Sequence, residues 1–215
     1  MNSFIRSSFA VMLTSCTLAA LAQSSAQPAA KPTVTVGDRW SWQHTNGLSN
    51  EKDYTVIETV VEVNPAEIRT QAKIKGKSGN GVATYTTEWN PVDVATAKYD
   101  PFLKLIEFPL QVGKKWKASA DKMLFSNGKH GSFHLNGEVV ALEKITVPAG
   151  TFDAYKIKVV LEGVGTDEDA NIGNTIETRW YAPAANQFVR TENEFSRDGR
   201  VRQKDINELL EYSLR

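Results

Sequence analysis

Val147-Pro148-Ala149-Gly150-Thr151-Phe152-Asp153-Ala154-Tyr155-Lys156-Ile157 reads as a β-hairpin, a tight turn between two long strands. Pro148 sets φ near the value needed at the first turn position, and Gly150 can adopt a positive φ closed to most residues. A type I turn followed by a left-handed glycine makes a three-residue hairpin with a bulge. Beyond the turn the side chains alternate. Tyr155, Ile157, Val159 and Leu161 fall on one face, and Lys156, Lys158 and Glu162 on the other. A period of two marks a strand with one buried and one wet face.

Similar strands extend in both directions. Residues 38–43 open the series and Asn46-Gly47 closes that strand. Residues 54–63 are rich in Val, Ile and Thr, and Asn64-Pro65 ends them. Ile68, Thr70, Ala72 and Ile74 alternate with Arg69, Gln71, Lys73 and Lys75, and residues 82–89 follow after a glycine-rich turn. Residues 90–101 read as a break holding one helical turn, and 103–108 as a short strand. Strands resume at 117–125, 133–147, 152–164, 175–181, 187–195 and 201–214, with Asp198-Gly199 as the last hairpin turn. The pattern predicts an all-β fold, an antiparallel meander of about ten strands with little helix. An open meander of this size exposes its edges, so closure into a β-barrel or a strongly curved half-barrel is expected. The absence of βαβ spacing excludes parallel-sheet and nucleotide-binding folds. Lys, Glu and Arg on the outward faces exclude a barrel that faces lipid.

The first residues stand apart from this pattern. Arg6 supplies a basic start, an apolar run extends from Phe9 to Leu21, and Ala20-Leu21-Ala22 offers small residues where a signal peptidase reads. Residues 1–22 are therefore expected to be a cleaved export leader, 23–32 a disordered spacer, and 33–215 a single β domain. The one cysteine, Cys16, lies inside the leader. Leu13-Thr14-Ser15-Cys16 resembles a lipobox, which would leave an acylated, lipid-anchored Cys16 as first mature residue. Continuation of the apolar run to the Ala-x-Ala site favours simple cleavage, which leaves no thiol and no disulfide. A periplasmic or secreted location follows on either reading, with no transmembrane span in the mature chain. Lys+Arg and Asp+Glu both number 25, so the net charge is zero. That balance speaks against nucleic acid or an anionic membrane surface as partner.

Three segments carry a resemblance. Pro109-Leu110-x-Val112-Gly113-Lys114-x-Trp116, Val147-Pro148-Ala149-Gly150-Thr151-Phe152-x-Ala154 and Trp180-Tyr181-Ala182-Pro183 occur in this order. With Gly37-Asp38-Arg39-Trp40 as opening strand, they resemble exported bacterial proteins grouped as domains of unknown function, of the 3108 type. The resemblance spans most of the mature chain. It implies an antiparallel β-barrel or half-barrel similar to periplasmic lipoprotein carriers, and it brings no catalytic residues. Physically, Gly113 and Gly150 serve turns, Trp116, Phe152 and Trp180 read as core aromatics, and Pro183 ends a strand.

Candidate chemistry is sparse. His130 and His134 share a strand face about 13 Å apart, too far to hold one metal. His44 reads as a strand-end histidine. Asp167, Asp169 and Asn171 resemble the first half of a calcium loop, but Gly173 comes one position late and Thr178 stands where the terminal Glu belongs. Glu192 and Glu194 stand among Arg190, Arg197, Arg200 and Arg202, as in a cross-strand charge ladder. No serine elbow or phosphate loop occurs, so no catalytic residue and no cofactor is assigned. The aromatics Trp40, Trp42, Tyr85, Trp89, Trp116 and Trp180 are the candidates to line a barrel interior, as filled core or around an apolar ligand. Three functional readings follow: a non-enzymatic barrel binding a lipid, a small apolar ligand or an envelope protein; a solid structural or assembly factor; and, last, a metal-dependent hydrolase.

Overall fold

The computed structural model describes residues 27–164 and 173–215, and it is a closed barrel of twelve antiparallel strands. The strands are β1 (Arg39–Asn46), β2 (Lys52–Val63), β3 (Glu67–Ile74), β4 (Gly81–Thr86), β5 (Pro91–Val94) and β6 (Ala97–Asp100). They continue as β7 (Lys115–Leu124), β8 (His130–Val147), β9 (Gly150–Val164), β10 (Asn174–Ala182), β11 (Gln187–Arg197) and β12 (Arg200–Ser213). Each strand pairs with its neighbour in sequence, and β1 pairs with β12 to close the ring. Closure leaves no unpaired edge, as the meander pattern demanded.

The opening hairpin has the expected place. Val147 of β8 pairs with Gly150 of β9 across Pro148 and Ala149, and Gly150 has φ +136°. Tyr155, Ile157, Val159 and Leu161 all face the interior and are buried. Along the outer wall lie Lys156, Lys158 and Glu162 of β9 and Arg69, Gln71 and Lys73 of β3, so these strands carry charge outward and their apolar residues inward. A barrel that faces lipid has the reverse arrangement. Among the described residues no helix is long and apolar enough to cross a membrane.

Two expectations need correction. The strand number is twelve, with full closure and no half-barrel form, because residues 91–100 are not a break: they form the short hairpin of β5 and β6. Strands of four residues are too short to show a period. The second correction concerns residues 103–108, which are not a strand. They belong to the connection between β6 and β7, and Leu103, Leu105 and Ile106 are all buried in the core. An apolar run of that length has the same composition whether it pairs in a sheet or fills a core.

The filling has a physical reason. About eight strands enclose a space that side chains alone can fill, and twelve enclose more. At one end of the barrel the chain itself supplies the missing volume. Leu103, Leu105, Ile106 and Leu110 from the β6–β7 connection join Trp40, Trp116, Leu135, Val139, Ile157, Tyr181 and Leu209 in one core. The N-terminal segment also lies against this end. Ala29 and Leu110 exchange backbone hydrogen bonds of 2.9 and 2.8 Å, the Tyr155 hydroxyl donates to the Gln27 carbonyl at 3.0 Å, and Pro32 is buried. Asp38, 1% exposed, joins the chain ends: its carboxylate accepts from the Thr35 amide at 2.9 Å and the Arg215 amide at 2.8 Å.

Gly137 of β8 shows how tightly this core is packed. It faces the ring of Trp116, its register partner on β7. A β-carbon there would lie 2.1 Å from Trp116 Cε2. Gly137→Ala should therefore lower stability by about 1–3 kcal/mol, the range for overpacking a core. At Gly81 an added Cβ would meet only the Ala72 carbonyl oxygen, at 3.9 Å. Gly81→Ala should stay within about 0.5 kcal/mol of the parent. Chemical denaturation of the two variants checks both values.

Candidate functional site

Burial declines away from the filled end. On β1, Trp40 and Ser41 are buried and every later residue is only partly so. On β11, Gln187, Phe188 and Val189 are buried and the rest are partly covered. Beyond the core the lumen holds a cavity of about 390 Å³. Its walls are Trp42, Val56, Glu58, Tyr85, Trp89, Pro91, Val94, Tyr99, Leu103, Leu105, Glu177, Arg179, Gln187, Phe188, Thr191 and Asn207.

The aromatic wall arises from alternation and from one turn. Trp40 and Trp42 share the inner face of β1, with ring centroids 6.3 Å apart and planes at 22°. Trp89 comes from the turn between β4 and β5, with φ +65°. Its amide donates to the Thr86 carbonyl at 3.0 Å, and Thr86 in turn donates to the Asn90 carbonyl at 2.9 Å. The turn directs the indole inward, 5.4 Å from both Trp40 and Tyr85 in edge-to-face contacts. Four of the five indole N–H groups then find a carbonyl outside the strand ladder or at its end. Trp40 donates to Ala185 at 2.8 Å, Trp89 to Asn186 at 2.8 Å, Trp42 to Phe188 at 3.4 Å and Trp116 to Lys104 at 3.1 Å. Asn90, 1% exposed, accepts from the Ile106 amide at 3.0 Å and donates to its carbonyl at 3.1 Å. These bonds satisfy the backbone of the chain that fills the closed end.

The polar wall has two parts. Glu58 of β2 faces inward beside its register partners Trp40 and Ala72, and it is 8% exposed. Thr70 Oγ1 donates to its Oε1 at 2.5 Å, and Tyr85 lies near enough for its hydroxyl to feel the carboxylate's charge. No cation pairs with Glu58 among the described residues, and burial pushes its carboxyl above the ordinary range. Burial, with the charge of Glu58, holds the Tyr85 hydroxyl well above its usual value. Burial and then Glu177 raise Tyr99 to about 12. The second part is an ion pair on β10: Arg179 Nε donates to Glu177 Oε2 at 2.6 Å, and Asn193 Nδ2 donates to Glu177 Oε1 at 3.3 Å. The Arg179 guanidinium also lies over the Phe188 ring, 5.0 Å from its centroid. On the same wall Asn207 donates to Thr191 at 3.1 Å.

The six aromatic candidates therefore separate. Trp42, Tyr85 and Trp89 line the cavity, and Trp40 supports them from behind. Trp116 sits elsewhere in the core, over Gly137. Trp180 lies on the outer wall between its cross-strand partners Lys156 and Arg190, whose charges lie 5.1 and 5.7 Å from its ring, and its N–H donates to Glu143 at 2.7 Å. Those long side chains cover the indole and reduce its exposure to 7%. Periodicity placed Thr70 on the inner face of β3 without marking it as a site residue, and it passed over Glu58, Glu177, Arg179 and Asn207. The available signal was a carboxylate at the Glu58 position of the alternating inner set Tyr54, Val56, Val60.

The other candidates stand apart from the cavity. His134 hydrogen-bonds with Ser119 at 2.9 Å on the outer wall. His44 is not among the cavity walls but shares the inner face of β1 with Trp42, next to its register partners Tyr54 and Asn207; it lies between Asp53 at 3.1 Å and Asp205 at 3.3 Å and stacks on Tyr54. Arg190 bridges Glu192 at 2.7 Å and Glu208 at 2.8 Å, forming the cross-strand ladder. No group of three or more His, Cys, Asp or Glu gathers in metal-binding geometry among the described residues. Cys16, the leader, and the calcium-loop candidates Asp167, Asp169 and Asn171 lie outside the described residues.

No family model and no curated protein matches the sequence. Among solved structures the barrel is similar to a candidate exported protein with a YmcC-like fold from Bacteroides fragilis, at 15% identity and a TM-score of 0.53 over 87% of this chain and 100% of that one. It is also similar to a candidate lipoprotein from Parabacteroides distasonis, at 17% identity and a TM-score of 0.52, over 87% of this chain and 100% of that one. At such identities the likeness shows the fold.

Glu58 gives a titration test of this geometry. With its folded value raised above the ordinary 4.5, the folded chain keeps a proton that the unfolded chain has released. That contribution is fully present below the ordinary value and is lost as pH rises through the folded one. Glu58→Gln carries no such proton, so the parent should lose stability relative to this variant as pH rises from about 4.5. Denaturation midpoints across pH check it, and a difference independent of pH would contradict the buried placement.

Proposed function

We propose that this protein is an exported, non-enzymatic binding barrel that holds a small apolar or amphiphilic molecule in its lumen. The observation that carries the reading is the cavity of about 390 Å³ left beside a tightly packed core. Its volume lies within the range of about 300–1,000 Å³ usual for ligand sites, and its walls combine apolar surface with a few convergent polar groups. Buried apolar surface supplies affinity, and the polar groups on one side orient the ligand.

Export rests on the leader at 1–22, with 33–215 as the single domain that follows, and on likeness to folds found in candidate exported proteins and lipoproteins. The motif resemblance to exported domains of unknown function agrees with it. The chain is released by cleavage at the Ala-x-Ala site in this reading, with acylation at Cys16 as the alternative route to the same compartment. The polar groups of the lumen are partnered with one another, Thr70 with Glu58 and Arg179 with Glu177, as in a wall that orients a ligand.

A fluorescent apolar dye tests the reading. The parent protein should bind it with saturable enhancement, and Val56→Trp, which extends an indole into the lumen, should weaken binding by about tenfold or more. A Val56→Trp variant that folds and binds as the parent does would place the dye elsewhere and overturn the cavity as the site.

A further inference from the structure

The cavity walls contain two carboxylates, Glu58 and Glu177, and one cation, Arg179. Arg179 is already occupied. Glu177 accepts its Nε at 2.6 Å, and the ring of Phe188 lies 5.0 Å away. An anionic ligand would have to displace Glu177 from the guanidinium inside a low-dielectric space. Glu58 is in the opposite position. Its hydrogen-bond donor is the hydroxyl of Thr70, with Tyr85 beside it and no ion-pair partner among the described residues. Around it stand the electron-rich rings of Tyr85, Trp42 and Trp89, which line the same cavity. A carboxylate among aromatic rings is the chemistry that selects a cation, because the ring faces attract positive charge and the carboxylate pairs with it. The rest of the wall is hydrocarbon: Val56, Val94, Leu103 and Leu105.

We propose that the natural ligand is a cationic amphiphile, with an ammonium head held by Glu58 beside Trp42 and Trp89 and a hydrocarbon tail along Val56, Leu103 and Leu105. This rests on the binding-barrel reading and adds to it the charge of the ligand. The carboxylate oxygens of Glu58 accept from the ammonium N–H groups, and the ion pair replaces the missing countercharge of a buried acid. Removing the head charge leaves a buried acid without its partner, and reversing it places two anions together.

Three probes of the same chain length test this: octylammonium, octanol and octanoate, titrated calorimetrically into the full folded chain. Octylammonium should bind about tenfold tighter than octanol, and octanoate weakest. Glu58→Gln, which keeps the shape and the hydrogen-bonding groups, should bring octylammonium to the level of octanol and leave octanol unchanged. Equal binding of all three probes would overturn the head-group assignment while leaving the cavity as a binding site. Tightest binding of octanoate, lost in Arg179→Gln, would overturn it in favour of an anion. Failure of every probe, octanol included, would overturn both the assignment and the binding-barrel reading. The ranking on the parent protein stands by itself if the Glu58 variant fails to fold.

Discussion

A closed barrel of twelve strands encloses more space than its own inward side chains can fill, and the molecule is organised around that surplus. At one end the chain folds in on itself to supply volume. Non-strand backbone brought into a core must have its N–H and C=O groups satisfied, because an unpaired buried group costs about 1–3 kcal/mol. The tryptophans and one asparagine do this. Trp40, Trp89 and Trp116 donate to Ala185, Asn186 and Lys104, and Asn90 closes a two-way amide pair with Ile106. The large aromatics are thus both filler and hydrogen-bond partner. Their position is set by the connections they hold as much as by the strands that carry them.

The remaining space follows from where that filling stops. Toward the other end the inner faces of β1, β11 and β12 become partly exposed and polar, and the cavity lies at the transition. Its two charged features differ in kind. The Glu177–Arg179 pair is satisfied from within, with Asn193 completing it. Glu58 is held by the Thr70 hydroxyl with no cation beside it among the described residues, which makes it the group most sensitive to what occupies the lumen.

The fold was largely legible in the chain because its strands are long and alternate. The hairpin and the inward set Tyr155, Ile157, Val159 and Leu161 stand as read, while the turn itself is one residue shorter: Gly150, at φ +136°, already pairs with Val147, which leaves Pro148 and Ala149 as the loop. Legibility ended where the period was short or broken. β5 and β6 have four residues each, and the deep segment 103–108 is apolar without any ladder. Trp180 was harder still. Trp180 and Tyr181 are neighbours on β10 and so face opposite sides, the indole outside between Lys156 and Arg190 and the tyrosine inside, and composition does not reveal which of the two large rings is the inner one. The pairing of Trp40 with Trp42 could be read from their spacing. The polar half of the site could not, since Thr70 meets Glu58 only through the β2–β3 register and Arg179 meets Phe188 only through the β10–β11 register.

The claim that this barrel has a filled end and a lumen kept for a ligand is tested most directly by native mass spectrometry of the protein purified from its own host. The account predicts a discrete adduct of one molecule per chain that survives gentle ionisation and disappears after organic extraction. A bare chain mass at every concentration and ionisation energy would contradict it.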